Sequence, residues 1–218
     1  MQTQAIEDYL KAIYKLGVEG GKVSTSAIAA RLDVAQASVT GMIKKLSEMK
    51  LLEYSPYRGV SLTEAGQKIA LETIRHHRLL ETYLKEAMGY TWDKVHEEAE
   101  KLEHHISEEF EEKMDEALGR PEYDPHGAPI PTKDGKVPRR DLTALSEIDS
   151  GETVIIRRVS DDDPEKLRYL GSRNLYPETV ITIVERDPFN GPLQINVGSE
   201  NCFLSAELRD MIFVEKVA

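Results

Sequence analysis

The sequence predicts a multi-domain, mainly α chain: a winged helix-turn-helix at the N-terminal end, a helical middle and a small β-barrel at the C-terminal end. Three observations carry this. Two short helical patterns joined at Asp33-Val34 are followed by an alternating stretch folded about a turn. Apolar residues then recur at helical spacing from Thr63 to about Leu118. Beyond a proline-bearing stretch, short β-branched runs separated by turns take over. At 218 residues the chain exceeds one ordinary domain, so several compact units are expected. The predicted boundaries are 1–71 for the winged head, 72–120 for the helical domain, 121–140 for a linker and 141–218 for the barrel.

In the first segment, Ile6, Leu10, Ile13 and Leu16 share one face of a helix over 4–16 that ends near Gly17 and Gly20-Gly21. Ser24-Thr25 cap a short helix bearing Ile28, Ala29 and Leu32, and a second helix runs from about Ala35 to Met49, which is helix-turn-helix spacing. Its buried positions are expected at Ile28, Leu32, Val34, Val39, Ile43 and Leu46. LLEYSPYRGVSLTEAG alternates apolar and polar residues about a turn at Ser55 to Gly59, predicting the hairpin that forms the wing. From Thr63 to Leu118 the pattern predicts dimerisation helices, broken near Gly89-Tyr90 and stopped at Gly119 to Pro121. The stretch 121–140 holds five prolines and little apolar material, which marks a linker. Strands are predicted at 152–159, 179–186, 193–197 and 211–215, with a short helix at Pro164 to Ser172 between them.

Composition narrows the chemistry. A 40% hydrophobic and 31% charged sequence is that of a globular protein, and no apolar run approaches the roughly 20 residues that span a bilayer. No basic-then-apolar leader precedes Tyr9, so a cytoplasmic protein without a membrane partner is expected. Cys202 is the only cysteine, which excludes an intramolecular disulfide and any thiolate-rich zinc site. Residues 1–75 hold ten Lys/Arg against eight Asp/Glu. By difference from the totals of 28 and 39, residues 76–218 hold 18 against 31. A near-neutral head on an acidic body fits a DNA binder whose grip depends on something that neutralises or reorganises the body.

The second helix of the helix-turn-helix leads with Gln36, Ala37, Ser38 and Thr40. A recognition helix reads base edges from its N-terminal part, where Ser or Thr can bond and Ala or a Thr methyl can meet the thymine methyl. Lys44, Lys45 and Arg58 are the expected phosphate contacts. A homodimer bound to a palindromic double-stranded operator is the usual consequence. The competing reading is a plain three-helix packing unit, and the wing weighs against it.

KVHEEAEKLEHHISEEF places His96, Glu100, Glu103 and His104 at spacings of four, three and one. On a continuous helix these occupy one sector, bordered by Val95, Ala99, Leu102 and Ile106. His77 and Glu81, one turn apart, and Asp8 on the first helix complete seven candidate metal ligands. Carboxylates with imidazoles and no sulfur suit Mn(II) or Fe(II). A solvated Glu-rich face is the bland alternative. His96-Glu97-Glu98-Ala99-Glu100 begins like the zinc-protease helix, but Glu100 stands where the second histidine belongs. A dimetal carboxylate oxidase would repeat Glu-x-x-His on two helices, and no such motif occurs. Catalysis is therefore not expected.

These residues resemble the diphtheria toxin repressor family of iron- and manganese-dependent regulators, in IEDYLKAIYKL, the winged helix-turn-helix, HHRLLE, KVHEEAEKLEHHIS, HGAPIP and LRYLGSRNLYPETVITI. The resemblance covers nearly the whole chain and implies a winged helix, a helical dimerisation domain and an SH3-like barrel. It matches Asp8, Glu100, Glu103 and His104 to a primary activating site and His77, Glu81 and His96 to an ancillary one. Iron-type members carry Met and Cys where this chain has Asp8 and Glu100, which tilts the implied co-repressor toward Mn2+, with Fe2+ as the alternative. Lys11 stands where short manganese regulators place a Glu, a departure from their dinuclear arrangement. In longer members the barrel adds ligands from the stretch before LRYL, where Asp161, Asp162, Asp163 and Glu165 are available, with Asp163 and Glu165 as candidates.

Overall fold

A computed structural model describes residues 3–18, 20, 22–55 and 59–217. The chain divides into two compact units. The first comprises residues 1–77, 102–107 and 131–136, and the second 78–101, 108–130 and 137–218.

The first unit begins with α1 (Gln4–Val18), α2 (Thr25–Leu32) and α3 (Gln36–Glu48). The start of α2 is set by Ser24, whose hydroxyl accepts from the Ala27 amide, so one of the helix's orphan donors is satisfied. Its end is set by Asp33 in the left-handed conformation (φ 51°, ψ 46°), a conformation that Asp tolerates better than most residues. Strands β1 (Leu52–Ser55) and β2 (Gly59–Leu62) pair antiparallel as the wing. Ile6, Leu10, Ile13, Ile28, Val39, Ile43 and Leu46 join Leu52 and Val60 in one core. Each such side chain contributes about 1.5–3 kcal/mol on burial. Val34, expected inside, is 38% exposed, because it lies in the link between helices and not on a helix face. Helix α4 (Glu64–Glu86) follows, with Ala70, Leu71 and Ile74 buried.

The second unit holds α5 (Val95–Leu102, up to Lys101), α6 (Glu108–Ala117) and a six-stranded antiparallel sheet. The strands are β3 (Thr143–Ala144), β4 (Thr153–Val159), β5 (Val180–Arg186), β6 (Leu193–Val197), β7 (Glu200–Leu204) and β8 (Ile212–Lys216). Their order is β3-β8-β4-β5-β6-β7. Register shifts in β4 between Ile156 and Arg158, and in β5 between Ile183 and Glu185, supply the local bend a small curled sheet needs. Helices α7 (Pro164–Ser172) and α8 (Ala206–Asp210) complete the element order. The barrel core includes Leu145, Ile156, Leu167, Leu170, Ile183, Ile195 and Leu204, with Trp92 packed among them. The stretch 121–140, read as a linker, carries buried Asp124, His126 and Ile130. No described helix is long and apolar enough to cross a membrane.

Candidate metal centres and nucleic-acid interface

The helix that starts at Val95 ends at Leu102, and His105 closes a turn by donating its amide to the Leu102 carbonyl (2.9 Å). His96, Glu100, Glu103 and His104 therefore do not share one helix face, as continuous helical geometry predicted. Ser107-Glu108-Glu109 is a helix-start composition, and the chain restarts as α6 at Glu108. Glu103 and His104 leave the helix and belong to the first unit, while His96 and Glu100 stay in the second.

In the first unit, Asp8, Glu103 and His104 bring three ligand atoms within 4.8 Å of one another. Asp8 projects from α1, and its Oδ1 lies 2.8 Å from His104 Nε2. On its other nitrogen, His104 Nδ1 lies 2.6 Å from Glu7 Oε2. Glu103 Oε1 is 3.3 Å from His104 Nε2. The carboxylate of Glu103, a residue 1% exposed, accepts from Lys11 Nζ at 2.9 and 2.8 Å. Its Oε2 also lies 2.6 Å from His77 Nδ1. His76 Nδ1 donates to the Glu103 carbonyl (3.1 Å), which fixes the turn from α4. Burial raises the Asp8 pKa against the lowering effect of His104, so its carboxylate pays a desolvation cost that a cation would relieve.

The second unit gathers Glu81 from α4, His96 from α5, Asp161 just after β4, and Asp124 with His126 from the proline-bearing stretch. His96 Nδ1 lies 3.2 Å from Glu81 Oε1 and 3.1 Å from Asp161 Oδ2, and its Nε2 is 3.7 Å from Glu100 Oε1. Burial alone lowers the His96 pKa, but hydrogen bonds to Asp161 and Glu81 outweigh it and push the value up to about 10. The proton there neutralises carboxylates as a cation would.

Glu81, Asp124 and His126 form a fully buried group, with His126 Nδ1 3.9 Å from Glu81 Oε1. Its other nitrogen, Nε2, donates to the Trp92 carbonyl at 2.7 Å, so in the neutral ring Nδ1 carries the lone pair. Among the described residues that atom has no hydrogen-bond partner. Burial raises the Asp124 pKa to about 6, helped by the negative charge of Glu81. The loop holding these two residues is tightly specified. Asp124 Oδ1 accepts from the His126 and Ala128 amides (2.8 and 2.9 Å), and Val159 donates its amide to the His126 carbonyl (2.9 Å). Gly127 has φ +85°, and a Cβ there would meet the Arg157 carbonyl oxygen at 1.8 Å, so only glycine fits.

An orphaned imidazole nitrogen beside buried carboxylates is the donor set that a divalent cation satisfies, and both clusters offer only oxygen and nitrogen. Asp124 and His126 escaped the sequence reading because the prolines around them read as linker. The Asp-x-His pair within an otherwise uncharged turn was the available signal. Of the barrel carboxylates, Asp161 reaches His96. Asp163 instead caps α7, accepting from Glu165 and Lys166 amides, and Glu165 lies exposed in that helix's first turn. Asp162 is also exposed.

On α3, Gln36, Ala37, Ser38, Thr40, Lys44 and Lys45 are exposed, while Val39, Ile43 and Leu46 are buried. The Thr40 hydroxyl donates to the Gln36 carbonyl (3.0 Å). Arg58 lies outside the described residues.

A winged helix with a small, polar leading edge on its second helix, joined in one chain to buried carboxylate-histidine clusters, defines a metal-responsive DNA-binding regulator. Residues 1–60 match the family described as iron dependent repressor, N-terminal DNA binding domain. Residues 63–132 match its metal binding and dimerisation domain, and residues 143–216 match the FeoA domain. The chain is 31% identical to the iron-dependent repressor IdeR of Mycobacterium leprae over 97% of its own length and 96% of that protein. It is 41% identical to the HTH-type transcriptional regulator MntR of Oceanobacillus iheyensis over 49% of its length and 72% of that relative. A solved manganese-dependent transcriptional repressor in complex with manganese superposes with a TM-score of 0.91 at 36% identity, covering 97% of this chain and all 100% of that one. The chain belongs to the diphtheria toxin repressor family of iron- and manganese-dependent repressors, in the form that carries an SH3-like FeoA domain. It is a metal-dependent DNA-binding repressor with a dimerisation domain, not an enzyme.

Proposed function

We propose that Mn(II) is the co-repressor, with Fe(II) as the alternative ion, and that the metal-loaded homodimer represses manganese or iron homeostasis genes from a palindromic operator. The observation that carries the choice of ion is the donor set: each cluster offers carboxylate oxygen and imidazole nitrogen and no sulfur, a set suited to harder divalent ions. The manganese complex of the similar repressor agrees with it.

Asp8, Glu103 and His104 are the proposed ligands in the first unit, with His77 supporting Glu103. In the second, Glu81, His96, Asp124, His126 and Asp161 are proposed, with Glu100 beside His96. A divalent ion supplies the positive charge that lets such converging carboxylates stay buried together. The residues do the rest. Asp8 lies on the same helix as Ile6, Leu10 and Ile13, which share a core with Val39, Ile43 and Leu46 of α3. Drawing Asp8 toward Glu103 and His104 therefore sets α1, and through that core it sets α3, whose Gln36, Ala37, Ser38 and Thr40 read the operator while Lys44, Lys45 and Arg58 hold its phosphates. Linkage requires that operator DNA tighten metal binding by the factor by which metal tightens DNA binding.

The test is anaerobic retrieval of genomic fragments by the immobilised protein with Mn(II), with Fe(II) and with chelator. Manganese-specific enrichment of a few palindromic upstream fragments supports the reading, iron-specific enrichment moves the assignment to the alternative ion, and equal retrieval in chelator refutes metal activation. Glu103→Ala is expected to lose metal-dependent retrieval while remaining a dimer in sedimentation.

A further inference from the structure

We propose that Lys11 is a built-in cation of the first-unit cluster and limits that cluster to a single metal ion. The inference rests on reading Asp8, Glu103 and His104 as a metal site.

The Glu103 carboxylate serves two directions. Its Oε1 lies toward His104 Nε2 (3.3 Å), which also reaches Asp8. Its Oε2 lies 2.6 Å from His77 Nδ1. A carboxylate so placed, with an imidazole on each side and a second carboxylate on one, has the layout of a bridge between two cation positions. The position shared by Glu103 and His77 already has a cation. Lys11 Nζ donates to both Glu103 oxygens at 2.9 and 2.8 Å and lies 3.4 Å from His77 Nδ1. The side chain is only 7% exposed, so water screens its charge little. A divalent ion next to His77 would have to displace the ammonium or sit against it, and a buried like-charge contact opposes the second choice. Placed one turn after Asp8 on α1, Lys11 also draws charge from the carboxylate that the Asp8-side ion needs, which lowers that ion's affinity.

Two variants of the full chain separate these effects, with Mn(II) alone as the probe. Lys11→Met keeps the apolar stem and removes the charge; it is expected to bind Mn(II) tighter by on the order of tenfold or more at the first cluster, without changing the number of ions. Lys11→Glu supplies a further carboxylate in place of the ammonium; it is expected to take up one additional Mn(II) per chain, read by calorimetric stoichiometry. The added ion should also broaden the Mn(II) electron paramagnetic resonance signal through coupling to its neighbour. Wild-type stoichiometry with an uncoupled signal in Lys11→Glu overturns the single-ion limit, and unchanged affinity in Lys11→Met overturns the role of Lys11 as the cluster's cation. Should Lys11→Glu lose its helical circular dichroism, Lys11→Gln, which also puts a ligand oxygen in place of the ammonium, takes its place in the stoichiometry, and a wild-type ion count in it overturns the proposal. Wild-type protein that retains Mn(II) only at Glu81, His96 and their neighbours overturns the metal-site reading itself. Loss of binding on Asp8→Ala distinguishes the two failures, since it occurs only if the cluster holds metal.

Discussion

Replacing Glu103 by alanine in the metal-free protein leaves the Lys11 ammonium inside the first unit without its main partner. Glu103 is 1% and Lys11 5% exposed, and two hydrogen bonds of 2.9 and 2.8 Å join them. Removing one member of a buried ion pair costs about 3–5 kcal/mol, because the survivor's desolvation is no longer offset. The second contact of Glu103, at 2.6 Å from His77 Nδ1, is lost as well. For a chain of this size each kcal/mol moves the midpoint by roughly 2–4 °C, so a fall of about 6–20 °C is expected in calorimetry with chelator present. The combined change Lys11→Met and Glu103→Leu removes both charges and should recover most of that loss, since an apolar pair of similar volume is often neutral or better. A midpoint for Glu103→Ala within about 2 °C of wild type would refute the reasoning, because it would mean the ammonium finds water or another acceptor at no cost.

Three further outcomes follow from the geometry. Gly127→Ala forces a Cβ to within 1.8 Å of the Arg157 carbonyl oxygen, so the loop must lift from β4; unfolding by urea should show a loss of more than about 1 kcal/mol, and Mn(II) uptake by the second unit should weaken with it. Lys44→Ala and Lys45→Ala should each reduce the slope of log affinity against log salt by about 0.9 if each meets one phosphate, read by fluorescence anisotropy on operator DNA; an unchanged slope removes that lysine from the interface. His96, raised from 6.5 to about 10 in the metal-free state, contributes stability that is fully present below its unfolded value and is lost as pH rises toward the folded one. Stability of chelated protein should therefore fall between about pH 6.5 and 10 by more in wild type than in His96→Ala, while the imidazole resonance of His96 stays protonated well above neutrality.

The helix-turn-helix was legible because its signals are local. Ser24 caps α2, Val39, Ile43 and Leu46 repeat at helical spacing, and Pro164 after Asp163 starts α7 where composition puts it. Strand β7 was missed: Glu200 to Leu204 buries only Cys202 and Leu204, too short an alternation to stand out from the turn that precedes it. The metal clusters were half legible for a different reason. Asp8, Glu103 and His104 could be named one by one, but spacing could not reveal that α5 stops before Glu103. Nor could it reveal that Asp163 gives its carboxylate to a helix cap while Asp161 turns to His96. Asp124 and His126 depend on contacts with Glu81, some forty residues earlier in the chain, and such long-range pairing leaves no periodic trace.

Trp92 is the only tryptophan in the chain. It is 6% exposed, sits in the barrel core, stacks on His126 at 5.6 Å between ring centroids, and packs on Tyr176 at 4.7 Å. Its carbonyl is the acceptor that orients the His126 ring. Selectively excited tryptophan emission therefore comes from a single site, touching a proposed ligand on one side and the hydrophobic interior of the FeoA domain on the other. Without any label, its emission maximum tracks the wetting of that interior during unfolding, and its intensity tracks what happens to His126. Titration with a paramagnetic ion and thermal melting of the barrel can thus be followed in one cuvette, with the protein as its own indicator.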